Sequence, residues 1–115
     1  MVALDPLERL DAQMADVSDV YVGAGWDSDR YIAGVEAGLR SVICLPFVVS
    51  AKVEETGIPD TVVGEMISGQ CVAHSEGYWL VYQPETDRFL CFWGTDVDKL
   101  GAHGIFGSPL GCWSA

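Results

Sequence analysis

An α+β domain is the architecture this sequence predicts: one or two N-terminal helices packed on an antiparallel sheet of four to five strands, with a central three-stranded meander over residues 70–93. Three observations carry that expectation. Residues 70–74, 78–83 and 88–93 are short apolar runs separated by Ser-Glu-Gly and Pro-Glu-Thr-Asp, both turn-forming clusters. Residues 43–53 alternate with the period of a strand, whereas the first forty residues carry apolar positions at helical spacing. A chain of 115 residues forms a single domain, 1–115, that buries about two thirds of its unfolded surface in one core.

Asp5-Pro6 opens the first helix, with Asp as N-cap and Pro at the first helical position; Leu7, Leu10, Met14 and Val17 share one face and Glu8, Asp11 and Asp16 the other, with Arg9 in partial compensation. Residues 20–22 suit a brief strand before the flexible Gly23-Ala24-Gly25 and Trp26. Asp27-Ser28-Asp29 caps a second helix through Tyr31 or Ile32, Val35 and Leu39, in which Gly34 and Gly38 either allow close packing on the sheet or mark a partly extended segment. In the strand over 43–53, Ile43, Leu45, Phe47, Val49, Ala51 and Val53 point one way; Cys44, Val48, Ser50, Lys52 and Glu54 point the other, and Pro46 places its start at an edge or divides it in two. Residues 54–60 read as a turn, 61–67 as a further strand and 96–100 as one helical turn capped by Asp96. The tail holds Ile105, Phe106, Leu110 and Trp113 between glycines and is expected to close over a core edge.

The meander can be paired residue by residue. Reading Ser75-Glu76-Gly77 as a three-residue loop sets His74 opposite Tyr78, Val72 opposite Leu80 and Gln70 opposite Tyr82. The four-residue loop 84–87 sets six pairs from Gln83 opposite Arg88 to Tyr78 opposite Trp93. One face is then Cys71, Ala73, Trp79, Val81, Leu90 and Phe92, a dry face expected beneath the helices. The other mixes aromatic and polar groups around a row of His74, Tyr78 and Trp93, which the tail covers or a partner meets.

Charge narrows the function. Seventeen Asp and Glu against six Lys and Arg give a formal net charge of −11, which disfavours direct contact with nucleic acid or an anionic membrane and favours encounter with a basic protein; solubility alone is the plainer explanation. The N-terminal residues carry neither a secretory signal nor a transit peptide, and the longest apolar-rich stretch, 42–49, is too short to span a bilayer, so a cytoplasmic location is expected. Cys44, Cys71, Cys91 and Cys112 are widely spaced without a C-x-x-C and read as buried thiols.

Chemical motifs are weak. The register leaves Cys91 too far from His74 for a thiol–imidazole pair, and His103 and Cys112 show no triad spacing. Cys71 and His74 fall on opposite faces of one strand, against a zinc site. Gly23-Ala24-Gly25 is followed by Ser28 where a dinucleotide fingerprint needs Gly, and the carboxylates at 27, 29, 54, 55, 96 and 98 match no EF-hand loop. No catalytic residue, metal or cofactor is therefore assigned. In size, charge and absence of motifs the chain resembles bacterial toxin-immunity proteins and phage anti-defence inhibitors, anti-CRISPR proteins among them, some of which mimic nucleic acid. That resemblance implies a non-catalytic inhibitor of a basic, nucleic-acid-handling toxin or defence-system protein, present as a monomer or small homo-oligomer. Glu8, Asp11, Asp16, Asp27 and Asp29 would supply charge, and Trp26, His74, Tyr78 and Trp93 packing. The alternative is a small-molecule-binding or hydrolytic domain using His74 or His103 in a pocket between the sheet and the C-terminal tail.

Overall fold

The structure is a computed structural model and describes residues 5–18, 20, 22–23, 25 and 27–114. It confirms the α+β class. Helix α1 (Pro6–Gln13) and helix α2 (Ser28–Arg40) precede five strands, β1 (Ile43–Val53), β2 (Met66–Ser75), β3 (Tyr78–Gln83), β4 (Arg88–Trp93) and β5 (Leu100–Gly107), and a short helix α3 (Pro109–Trp113) ends the chain. Both expected caps form: Asp5 accepts from the N–H groups of Leu7 and Glu8, and Asp27 from that of Arg30. Gly34 and Gly38 have no neighbour near the position a Cβ would take, so they neither pack closely nor interrupt α2.

The strands form a closed barrel in sequence order. Neighbours are antiparallel except where β5 returns beside β1, pairing Ala51 with Leu100, Lys52 with Gly101 and Val53 with Ala102 in parallel. A five-stranded meander that closes must end this way, because an odd number of alternating strands leaves the first and last running in the same direction. β5 itself departs from the sequence expectation, which ended a helical turn at Leu100 and read the glycine-rich residues after it as a tail closing over a core edge. Glycine weakens strands in general, but here two of them permit close approach: a Cβ at Gly104 would lie 2.5 Å from the Thr56 carbonyl oxygen, and one at Gly101 would lie 3.1 Å from His103 Nε2.

Closure gives the sheet two buried faces. Val49, Ala51, Cys71, Val81, Leu90, Phe92, Leu100 and Ala102 fill the interior, with Ile58 from the β1–β2 loop packed against them. The outer face of β2–β4, through Val72, Ala73, Leu80, Tyr82, Phe89 and Cys91, packs against Leu10, Met14, Leu39, Leu110 and Cys112 of the three helices. The dry face of the meander, Ala73 excepted, is thus the lumen of the barrel rather than the seat of the N-terminal helices, which lie on the face expected to be mixed; the irregularity between Cys71 and Ala73 turns Ala73 to the helix side.

The β3–β4 register is the expected one, with all six pairs from Tyr78↔Trp93 to Gln83↔Arg88. The β2–β3 hairpin differs. Its loop is the two-residue Glu76-Gly77, both at positive φ (49° and 87°), the geometry of a type I′ turn whose twist matches the strands it joins. Ser75 therefore pairs with Tyr78 and His74 with Trp79; a bulge at Val72 restores Gln70↔Tyr82. Three further expectations fail locally. Residues 61–65 are loop, with β2 beginning only at Met66, and the 96–98 turn is closed by the Asp96 carboxylate accepting from Asp98 N–H rather than by a helix. Val20 and Val22 are not in a strand, and Tyr21 lies outside the described residues.

Candidate partner-binding surface

The acidic positions singled out from sequence lie on the helices and their ends. Glu8 is exposed in the first turn of α1. Asp11, one turn on, meets Arg40 of α2 at 3.5 Å, and the same guanidinium holds Glu36 at 2.9 Å. Asp16 accepts from the hydroxyl and backbone N–H of Ser18, bonds that hold its carboxyl below the ordinary carboxylate range. Asp27 caps α2 and Asp29 follows in its first turn, where the helix dipole favours a negative charge. Trp26 lies outside the described residues.

The aromatic row does not form. The hairpin slip moves His74 away from Tyr78 and lays it on the Trp79 ring, centroids 4.6 Å apart and planes 17° apart, with Phe47 edge-on to both. Tyr78 and Trp93 stay neighbours at 5.3 Å, half-buried, with Trp113 of α3 against Tyr78 and His103 against Trp93. Coverage by the tail is thus real at this end of the sheet, through Trp113 and Ile105, whereas Phe106 is turned outward beneath the Arg88 guanidinium.

The histidines differ in setting. His103 Nδ1 lies 3.1 Å from Glu55 Oε1, and its Nε2 rests over Gly101. His74 is exposed and stacked. The thiols of Cys71 and Cys91 are pushed up to about 12 by burial, well away from the thiolate a nucleophile or metal ligand needs. Among the described residues no group of three or more His, Cys, Asp and Glu is placed to hold a metal ion, and no helix is long and apolar enough to cross a membrane.

A surface the sequence did not single out lies along β1. β5 pairs with β1 only from Ala51 onward, while β2 accompanies it back to Ile43. Val48 is 73 % exposed and Leu45 85 % exposed. Beside them is a shallow depression of about 440 Å³ lined by Phe47, Val48, Ser50, Met66, Val97 and Asp98. Phe47 joins it to the His74–Trp79 stack, whose Trp79 indole N–H is anchored to the Gly94 carbonyl at 2.8 Å. The sequence signal was present in the apolar residues on both faces of β1; which of them end up exposed depends on where the barrel closes.

No protein-family model matches the chain, and neither a curated protein nor a solved structure matches it.

Proposed function

We propose that this protein is a non-catalytic acidic inhibitor of a basic, nucleic-acid-handling partner, of toxin-immunity or anti-defence type, acting by electrostatic steering followed by occlusion. The observation that carries the reading is the state of its carboxylates. Among the described residues, ion pairs engage Asp11, Glu36 and Asp87, and Glu55 contacts the His103 imidazole, while Glu8, Asp29, Glu76, Glu85, Asp96 and Asp98 are exposed and belong to no ion pair. With a formal charge of −11, such a surface attracts Lys- and Arg-rich proteins over distances set by the ionic atmosphere.

The test is to capture the partner from the source cell, purify it and follow association by stopped flow. Between about 50 and 300 mM salt the association rate should fall by roughly tenfold or more, with little change in dissociation. Combining Glu8→Gln, Asp27→Asn and Asp29→Asn should slow association several-fold without unfolding α2, because Asn caps about as well as Asp. Salt-independent association would sink the proposal.

One observation favours a second reading, a hydrolytic or small-molecule-binding domain: the Glu55 carboxylate orients the His103 imidazole as a general base is oriented. Its Nε2, however, rests on the strand at Gly101. If His74→Ala with His103→Ala preserves function in the native context, the catalytic reading fails.

A further inference from the structure

We infer that the open edge of β1 beside residues 47–50 receives an extended, Lys- or Arg-bearing segment of the partner protein as an added strand. The backbone directions establish the edge. Glu54 N–H donates to the Ala102 carbonyl of β5, and Val53 N–H to the Glu65 carbonyl on the β2 side. Alternate residues of a strand turn their N–H and C=O groups to the same edge, and pairing with β2 runs without a shift from Phe47 to Lys52. Val48 and Ser50 therefore direct their N–H groups to the side where β5 lies. The β1–β5 ladder starts only at Ala51, so among the described residues these two N–H groups and the Val48 carbonyl have no strand beside them.

Such an edge is a template for strand addition, and natural proteins usually protect one with charge, proline or a covering element. Pro46 and the register shift between Ile43 and Phe47 limit this one at its upstream end, leaving a short regular stretch. Instead of being blocked, that stretch opens on the depression walled by Phe47, Met66 and Val97, with Asp98 at its rim and Asp96 in the same turn. Alternate side chains of an incoming strand would place apolar groups in the depression and cations toward the carboxylates. Charge also decides between occupants: a second copy would set another −11 beside the first, whereas a basic segment is attracted.

The inference rests on the acidic-inhibitor reading, and its test separates the two. The probe is a short capped peptide alternating Lys with Val and Thr, compared with a Glu-for-Lys version and with one N-methylated at alternate amides, which keeps the charge but cannot pair as a strand. At low salt the Lys peptide should bind and slow hydrogen exchange at the Val48 and Ser50 amides. N-methylation, or Val48→Lys on this exposed position, should weaken binding by about tenfold, with the far-ultraviolet spectrum of the variant unchanged. Equal binding of the methylated peptide overturns strand addition and leaves electrostatic binding standing. Failure of the Lys peptide to bind, while the captured partner still binds with salt-dependent association, also overturns strand addition alone. A dimer in sedimentation that Val48→Lys abolishes would assign the edge to a second copy and equally overturn the proposal.

Discussion

Tyr82 is fully buried except for the need of its hydroxyl, which Asp87 meets by accepting a 2.5 Å hydrogen bond. The same carboxylate takes both prongs of the Arg9 guanidinium, at 2.9 and 3.0 Å, and so ties α1 to the β3–β4 turn. The sequence shows Arg9 only as partial compensation on an acidic helix face; its partner lies 78 residues away and is set by the tertiary fold. The Tyr82 hydroxyl and then Arg9 hold the Asp87 carboxyl below its ordinary value, so this contribution is present above the unfolded pKa of 3.8 and fades as pH falls below it. Asp87 also sits at φ 48°, where Asn is tolerated better than Ala. Asp87→Ala should therefore cost about 2–3 kcal/mol in urea unfolding, from a stranded buried hydroxyl and backbone strain together, and Asp87→Asn clearly less. Equal losses would refute that account. On the alkaline side the sign reverses. Burial raises Cys71 and Cys91 from 9.0 to about 12, and burial together with Asp87 raises Tyr82 from 10.0 to about 12. Each group favours folding while protonated, so stability should be level near pH 8 and fall from about pH 9 toward pH 12. A urea midpoint unchanged up to pH 11 would contradict this.

At the scale of elements, the glycines divide by what surrounds them. Gly34 and Gly38 sit in the interior of α2 with open space beside them, so Gly34→Ala and Gly38→Ala should each stabilise the protein by up to about 1 kcal/mol. Gly69 is the opposite case: a Cβ there would lie 2.5 Å from Val81 Cγ1 and 2.8 Å from the Tyr82 carbonyl oxygen. Gly69→Ala should cost about 1–3 kcal/mol through overpacking. Thermal melts of the three variants check both signs, and a stabilised Gly69→Ala would show that the β2–β3 approach is looser than described. Helices α1 and α2 were legible because their caps and spacing are local, whereas the sequence reading placed no helix at α3. The first hairpin differs from expectation by one residue, because Ser75-Glu76-Gly77 is compatible with either a three- or a two-residue loop, and only the type I′ twist selects between them. That single residue moved His74 from Tyr78 to Trp79.

For the whole molecule, the charge that steers a partner also strains the fold. Screening shortens from about 30 Å at 0.01 M salt to about 8 Å at 0.15 M, so the melting temperature should rise by about 4 °C across that range, roughly 1 kcal/mol, while partner association slows. A melting temperature that falls with salt would mean the ion pairs at Arg9 and Arg40 outweigh the general repulsion. The sequence by itself determined the α+β class, both N-terminal caps, the strand over 43–53, the β3–β4 register and the acidic surface, all of which follow from local chemistry or composition. Barrel closure was decided only in three dimensions. Pairing β5 with β1 joins residues about fifty apart in sequence through a glycine-rich strand that has little strand propensity of its own. Because the closing ladder begins at Ala51, Val48 and Ser50 have no strand on the β5 side among the described residues.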